Sequence, residues 1–188
     1  GLADAAVSVI YHYTGDFAET DTNKATAKAM YQEGTEVIFA CGGSVGKSVM
    51  SAASEAGKKV IGVDVDQRYG SETVITSATK GLSASVIQVL EAIYKNNSWN
   101  NFAGKTTYFN ASNNGVGLPT TIIGNKDGNA FDRFKTFSKA DYDKVFKTLQ
   151  DESVKPIRKI DVANANGYAT AQELASGLGL KKVSVVVR

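Results

Sequence analysis

The 188-residue chain has one cysteine, one histidine, one tryptophan and two prolines. With Cys41 as the single thiol, no internal disulfide is possible and cysteine usage leaves the redox compartment open. Neither zinc-ligand nor EF-hand spacing occurs, and no cofactor is implied. Charge of one sign is also missing: 21 basic and 19 acidic side chains leave a net charge of +2. The charges are scattered and form no basic stripe, so nucleic acid is not an expected partner. No run approaches the ~18 apolar residues of a membrane-spanning helix. The first residues show no initiator Met, basic segment or apolar leader. "GLADAA" reads as the tail of an amphipathic helix. It runs into an apolar strand with no Gly, Pro, Asn or Asp between Ala6 and Val7, so the chain is expected to be a fragment with residues missing near that join.

What is present suits a globular α/β chain, either one domain or part of a two-lobed protein. Hydrophobic residues make up 43%, and the mean hydropathy is -0.17. Residues 7–13 are β-branched and aromatic and predict a strand, with His12 inside it as a core residue. Asp21 is the expected N-cap of a helix over 21–33, stopped by Gly34. Residues 37–40 are continuously apolar, as in strands buried on both faces of a parallel sheet. A helix over 44–56 places Val45, Val49, Met50 and Ala53 on one face and stops at Gly57. Strands follow at 59–64 and 73–77. Leu82, Val86, Val89, Leu90 and Ile93 then mark the clearest amphipathic helix. This β-α-β-α-β, β-α order predicts a doubly wound parallel sheet built from right-handed crossovers.

The second half is looser. It offers a polar loop at 96–104 holding Trp99 and a turn at Asn113-Asn114-Gly115. Beyond these come a helix over 139–149 capped by Ser138, a short strand at 156–160, a helix over 169–175 and a terminal strand at 181–188. No internal repeat stands out.

Open α/β sheets bind ligands outside the carboxyl ends of their strands. Three segments are expected there: Gly15-Asp16-Phe17, residues 39–46 and residues 64–67. Within the second, Gly46-Lys47-Ser48 follows a strand and opens a helix, as in a phosphate-binding G-x-x-x-x-G-K-[ST] loop. "KVIGVD" would then imitate the acidic strand of such an enzyme, yet Cys41 stands where the first glycine belongs. A nucleotide-binding NTPase is therefore one alternative, and the plain one is that Lys47 begins a helix and points to solvent. Asp64 and Asp66 lie on one side if the chain stays extended, where a carboxylate can accept hydrogen bonds from adjacent hydroxyls such as a ribose diol. The other reading has one of them capping the next turn, and Asp64 is the favoured ligand residue. Phe39 suits either ring stacking or core, and Phe17, in a polar loop, suits contact. Cys41 has no evident His partner, so no thiol nucleophile is read.

These motifs, taken in order, resemble the basic membrane protein family, the purine nucleoside receptor-like substrate-binding lipoproteins of ABC transporters. The resemblance lies in Gly15-Asp16-Phe17, the Lys28–Tyr31 helix end, the V-I-F…G-G-x-x-G stretch over 37–46 and Ala56-Gly57. It continues through I-G-V-D-x-D-Q over 61–67, Thr76-Ser77 with Lys80, "NNGVGL" at 113–118 and "KKVSVVVR" at the end. The resemblance implies an α/β fold of the periplasmic-binding-protein type I class. The chain would be mostly the C-terminal lobe of a two-lobed protein: a core over about 7–80, then hinge-crossing and remaining segments over 81–188. It also implies a nucleoside held between the lobes, without catalysis. The ribose-binding Asp maps to Asp64, the stacking aromatic to Phe39, and the pocket-lining glycines to Gly42 and Gly43, with Lys80 a further candidate. The implied partners are a membrane ABC permease and the N-terminal lobe, which these residues do not include. The implied place is outside the cytoplasm, on a lipid anchor beyond this segment. A ligand-sensing regulatory domain on the same lobe is the remaining alternative.

Overall fold

The computed structural model describes residues 5–125, 127–156, 170–177 and 179–188. The chain divides into two compact units, one of Gly1–Gly15 with Pro156–Arg188 and one of Asp16–Lys155.

In the first unit, β1 (Val7–Tyr11) pairs in parallel with β6 (Val183–Val187) as a two-stranded sheet, Val7 opposite Val183 and Tyr11 opposite Val187. Ala5 and Ala6 lead directly into β1, and the Val7 amide donates to the Lys182 carbonyl at 2.8 Å. β1 does not join the larger sheet, contrary to the expected single doubly wound sheet. Its ladder is completed by β6, a pairing far apart in sequence that local pattern does not announce. The strand stops at Tyr11, so His12 is exposed rather than a core residue. α5 (Ala171–Gly177) precedes β6. The strand expected at 156–160 lies outside the described residues beyond Pro156.

The second unit holds a four-stranded sheet in the order β2-β3-β4-β5. β2 (Val37–Phe39), β3 (Lys59–Asp64) and β4 (Val74–Lys80) run parallel, and β5 (Val116–Gly117) closes the far side antiparallel. α1 (Asp21–Gln32) precedes β2, and α2 (Val45–Ala56) connects β2 to β3. Thr20, not Asp21, caps α1, its hydroxyl accepting the Asn23 amide at 3.1 Å. The extended backbone and short hydroxyl of Thr20 serve the cap, while Asp21 supplies the acidic first turn. Asn23, Ala27 and Tyr31, four residues apart, form the buried stripe of α1. α2 ends on Gly57 at φ 63, the left-handed stop expected of glycine.

These helices share one core with the sheet: Ala27, Tyr31, Val45, Val49, Ala52, Ala53, Val60 and Val74. Val60 and Val74 face each other fully buried, each side chain contributing roughly 1.5–3 kcal/mol. Tyr31 donates its hydroxyl to the Lys59 carbonyl at 2.9 Å, sewing α1 to the start of β3. Burial drives the Tyr31 hydroxyl's pKa upward, so it stays a donor. The register between β3 and β4 shifts just after Val60: Val60 pairs with Val74, but Ile61 pairs with Thr76, leaving Ile75 as a bulge.

β2 departs from its expected burial on both faces. It is the edge strand, with Val37 40% and Phe39 54% exposed. α3 (Leu82–Tyr94) forms as expected, yet its apolar stripe of Leu82, Val86, Leu90 and Ile93 is exposed. Trp99 stacks on Phe102 in a short 3-10 turn. α4 (Lys139–Gln150) starts on a Ser138–Asp141 capping box and carries Tyr142 into an aromatic cluster with Phe131, Phe134, Phe137 and Phe146. Arg68, buried, binds the Ala130 carbonyl and the Asp132 carboxylate. Arg133 donates to the carbonyls of Ser71 at 3.0 Å and Val74 at 2.6 Å. This exchange clamps the aromatic cluster onto the loop after β3.

On the outer side of α1 and α2, Lys24 and Lys28 both pair with Glu55, at 2.6 and 3.0 Å. Hydrogen bonds and charge from the two lysines lower the Glu55 pKa from 4.5 to about 2. A depressed carboxylate contributes stability above its unfolded pKa and loses it as pH falls through the folded one. Denaturant melts should therefore show Glu55→Gln less stable than the parent at pH 7, with the gap closing as pH falls from 4.5 towards 2. A gap that does not change over that range would exclude the Lys24–Glu55–Lys28 contribution.

Candidate ligand-binding site

The parallel strands β2, β3 and β4 end on the same side of their sheet, at Phe39, Asp64 and Lys80. Asp64 is the last residue of β3 and has φ 70, left-handed for a residue with a Cβ. The Val65 amide donates to the Val63 carbonyl at 2.8 Å, closing a γ-turn about Asp64. Backbone in this region costs about 1–3 kcal/mol and concentrates where function demands it.

The Lys80 ammonium donates to Asp64 Oδ1 at 2.6 Å. The hydrogen bond to Asp64, then its charge, raise the Lys80 pKa, and Cys41 lies close enough to add a smaller electrostatic contribution. Both partners are about half exposed, so the pair adds little stability and its importance is geometric. It presents a carboxylate and an ammonium side by side at the rim of the sheet, beside the turn that follows β2.

That turn begins where the Ala40 amide donates to the Ile61 carbonyl at 3.1 Å. Gly43 has φ 57, which favours glycine, and a Cβ there would make an ordinary contact with the Phe17 Cβ at 3.5 Å. Phe17 lies against the turn and is 74% exposed. Its loop is tied down by Asp16, whose Oδ1 accepts the Ala18 amide at 3.0 Å and the buried Asn23 side chain at 3.1 Å. Gly42 stands between Cys41 and Gly43, packed under Val45.

The structure therefore brings Asp64 and Lys80 together at the ends of β3 and β4, and Phe17 against Gly43 in the turn after β2, with Cys41 of that turn near enough to Lys80 to act on it electrostatically. Phe39 ends β2 on the same edge with an exposed ring, at the level of Ile61 and roughly 10 Å below Asp64 along the strand. Asp66 is used differently: its Oδ1 accepts the Arg68 amide at 3.1 Å, capping the turn. The expected same-side placement of Asp64 and Asp66 assumed extended chain, and the left-handed φ at Asp64 ends the extension. Sequence reasoning quoted Gln67 and Ser77 without giving them a role, although both contact this turn. The glycine at 62, inside an otherwise apolar strand, was the available signal for a close approach there.

The Gly-Lys-Ser stretch has other duties. The amides of Gly46 and Lys47 donate to the Gly43 and Ser44 carbonyls, at 3.2 and 3.0 Å. Ser48, buried, donates to the Thr20 carbonyl and accepts the Thr20 amide, both at 3.0 Å. Lys47 lies 3.6 Å from Glu19 with its side chain 68% exposed. A phosphate loop needs those amides directed at its ligand and that hydroxyl directed at a cation. Two shallow polar depressions occur, of about 500 Å³ lined by Glu19, Thr20, Lys24 and Ser48 and about 320 Å³ lined by Lys47, Met50 and Gly70. Neither includes Asp64, Lys80 or Phe39. Among the described residues, no three His, Cys, Asp or Glu side chains gather as a metal site.

An α/β unit with parallel strands and flanking helices is consistent with the periplasmic-binding-protein-like fold, and solved structures agree on the fold. An ABC transporter solute-binding protein from Conexibacter woesei superposes with TM-score 0.55 at 20% identity, over 77% of this chain and 45% of that one. A transcriptional activator of the comK gene from Bacillus halodurans gives 0.51 at 18% identity, over 74% and 42%. At such identities the likeness shows the fold alone. A family model described as ABC transporter substrate-binding protein PnrA-like matches residues 2–162, and the chain belongs to this family. It is 32% identical over 119 residues to Basic membrane protein D of Borreliella burgdorferi, covering 62% of this chain and 34% of that protein. It is 41% identical over 71 residues to the ABC transporter nucleoside-binding protein BmpA of Lactococcus lactis, covering 34% and 20%. The chain thus spans about a third of the length of Basic membrane protein D and of Basic membrane protein B from Borrelia garinii, where coverage is 39%.

Replacing Asp64 separates backbone strain from side-chain chemistry. Asp64→Gly accepts φ 70 freely, whereas Asp64→Ala keeps the strain and loses the Lys80 pair. By denaturant unfolding, the glycine variant is expected to be more stable than the alanine one by about 1 kcal/mol. Equal stability would show that the left-handed turn relaxes in solution. Ser48→Ala is expected to cost about 1–3 kcal/mol, because it orphans the Thr20 amide, and Lys47→Ala less than about 0.5 kcal/mol. A larger loss for Lys47→Ala would reverse those assignments.

Proposed function

We propose that this chain forms one wall of a nucleoside-binding crevice in the solute-binding component of an ABC importer. The observation that carries the reading is the strained Asp64 at the end of β3, its carboxylate shared with Lys80 beside the Gly42–Gly43 turn. A vicinal diol carries two donors that are also acceptors. The Asp64 carboxylate takes the donated protons, and the Lys80 ammonium donates to the same oxygens. Phe17, exposed beside the glycine turn, offers a ring face for a base, and Phe39, exposed lower on the same edge, offers a second. Asp66, already engaged by Arg68, would contribute through the turn. Support comes also from the nucleoside-binding name of the Lactococcus lactis relative. A purine nucleoside is the preferred ligand, because its large flat base uses both aromatic faces.

On this reading the chain is the C-terminal portion of a two-lobed protein. The facing wall comes from the N-terminal lobe, and the closed form docks on a membrane permease outside the cytoplasm. Among the described residues no helix is long and apolar enough to cross a membrane. On the family resemblance, attachment would come from a lipid anchor beyond this segment. Binding leaves every ligand bond intact, and the site needs neither nucleophile nor base.

The test is a ¹H–¹⁵N NMR titration of the chain with guanosine, adenosine, ribose and Mg²⁺–ATP, a method sensitive to the weak affinity of a single wall. Nucleosides and ribose should shift the amides of Gly42, Gly43, Asp64, Val65 and Lys80, and Asp64→Asn should weaken those shifts. Shifts confined to 46–48 with Mg²⁺–ATP, and none at Asp64 with nucleosides, would overturn the reading in favour of a phosphate loop.

A further inference from the structure

The turn that presents Asp64 is held by a side chain that points away from the rim. The Val63 amide, one residue before Asp64, donates to Gln67 Oε1 at 3.2 Å. The Gln67 amide in turn donates to Ser77 Oγ at 3.0 Å, and Ser77 is fully buried on β4. Gly62 leaves room for this. A Cβ at that position would lie 2.4 Å from Gln67 Oε1, 2.7 Å from Ser77 Oγ and 3.1 Å from Gln67 Cβ. The Gln67 side chain therefore folds back over β3 into the space that a larger residue would fill.

We propose that Gln67 is a positioning residue for Asp64: its amide oxygen holds the Val63 amide and so keeps Asp64 in the left-handed turn that aims its carboxylate at Lys80. The proposal rests on the reading of Asp64 as the ligand carboxylate, and Gln67 itself touches no ligand. The physical case has three steps. A non-glycine residue at φ 70 relaxes to negative φ unless its neighbours prevent it. Relaxation would swing the Asp64 side chain to another direction and open the Val65-to-Val63 hydrogen bond. The chain just before Asp64 is gripped by Gln67, and the chain just after it is gripped by the Asp66–Arg68 cap, with Arg68 anchored on Ala130 and Asp132. With both ends fixed, the turn has no slack in which to relax. The grip needs a neutral or anionic acceptor on an arm long enough to reach back four residues. Glutamine supplies it, and glutamate would too. Methionine has the length without comparable acceptor strength.

The experiment compares Gln67→Met, Gln67→Glu and Gly62→Ala in the full chain, reading amide hydrogen exchange at Val60, Val63 and Val65 and the guanosine titration. Gln67→Met and Gly62→Ala should each speed exchange at Val63 and Val65, and weaken guanosine, by about tenfold or more, because a buried donor loses its acceptor. Val60, whose amide donates to the Thr73 carbonyl at 2.9 Å, should keep its protection. Gln67→Glu should restore both readouts to near the parent values. Equal losses in the methionine and glutamate variants would overturn the proposal, since an acceptor of the same reach and shape would then not suffice to hold the turn. Loss of Val60 protection in Gln67→Met would overturn it as well, making Gln67 a folding residue. If exchange responds as expected while guanosine shifts no amide even in the parent, the nucleoside reading fails and the positioning of Asp64 stands.

Discussion

The bulge at Ile75 is the constraint on which the rim depends. Without it, Ile61 would pair with Ile75 and Asp64 with Ala78. With it, Ile61 pairs with Thr76, Gly62 with Ser77 and Asp64 with Thr79. The one-residue advance places the Ser77 hydroxyl against Gly62 and under the Gln67 amide, and sets Lys80 next to the end of β3. Because side chains alternate along a strand, the one-residue slip changes which faces of β3 and β4 meet beyond Val60. Val60 and Val74, fully buried against α1 and α2, anchor the register below the slip. The aromatic cluster, through Arg133 on the Val74 carbonyl, braces the strand that bulges.

How much of this was legible in the sequence depends on the range of each interaction. β3 was readable to the residue because "KVIGVD" is bounded by a left-handed glycine stop and by an Asp that leaves extended geometry. The Ser138 cap and α4 followed from neighbours three residues apart. β2 was misjudged because an apolar run of four residues reads the same in a central strand and in an edge strand, and only the pairing order separates them. β1 was placed in the wrong sheet for a related reason: its partner β6 lies more than 170 residues away, and parallel ladders leave no turn signal.

The site divides along the same line. Asp64 was legible from its place at a strand end, and the glycine turn from its spacing. The Asp64–Lys80 pair was not, since it arises from strand register plus a bulge and not from any sequence period. Asp66 was grouped with Asp64 by a two-residue rule that holds only while the backbone stays extended. The Gly-Lys-Ser match was a local spelling whose donors the tertiary structure assigns elsewhere: Ser48 to Thr20, and the amides of Gly46 and Lys47 to the preceding turn.

A binding site and an enzyme site ask different things of the same carboxylate. Catalysis needs a group whose proton affinity is matched to transfer at working pH, and usually a partner that orients it. Here the oriented carboxylate is paired at 2.6 Å with the Lys80 ammonium, a hydrogen-bond donor. Half exposure of Asp64 and Lys80 means that water competes for every hydrogen bond they offer. A ligand on this wall alone gains little, because each new bond replaces one to solvent. The same groups gain strength when a facing surface excludes that water and lowers the local dielectric. In the proposed two-walled crevice, such a wall would favour tight binding only when closed. The strain kept at Asp64 would then have a use: pre-setting the carboxylate in the open wall would remove an ordering cost from the step in which the crevice shuts.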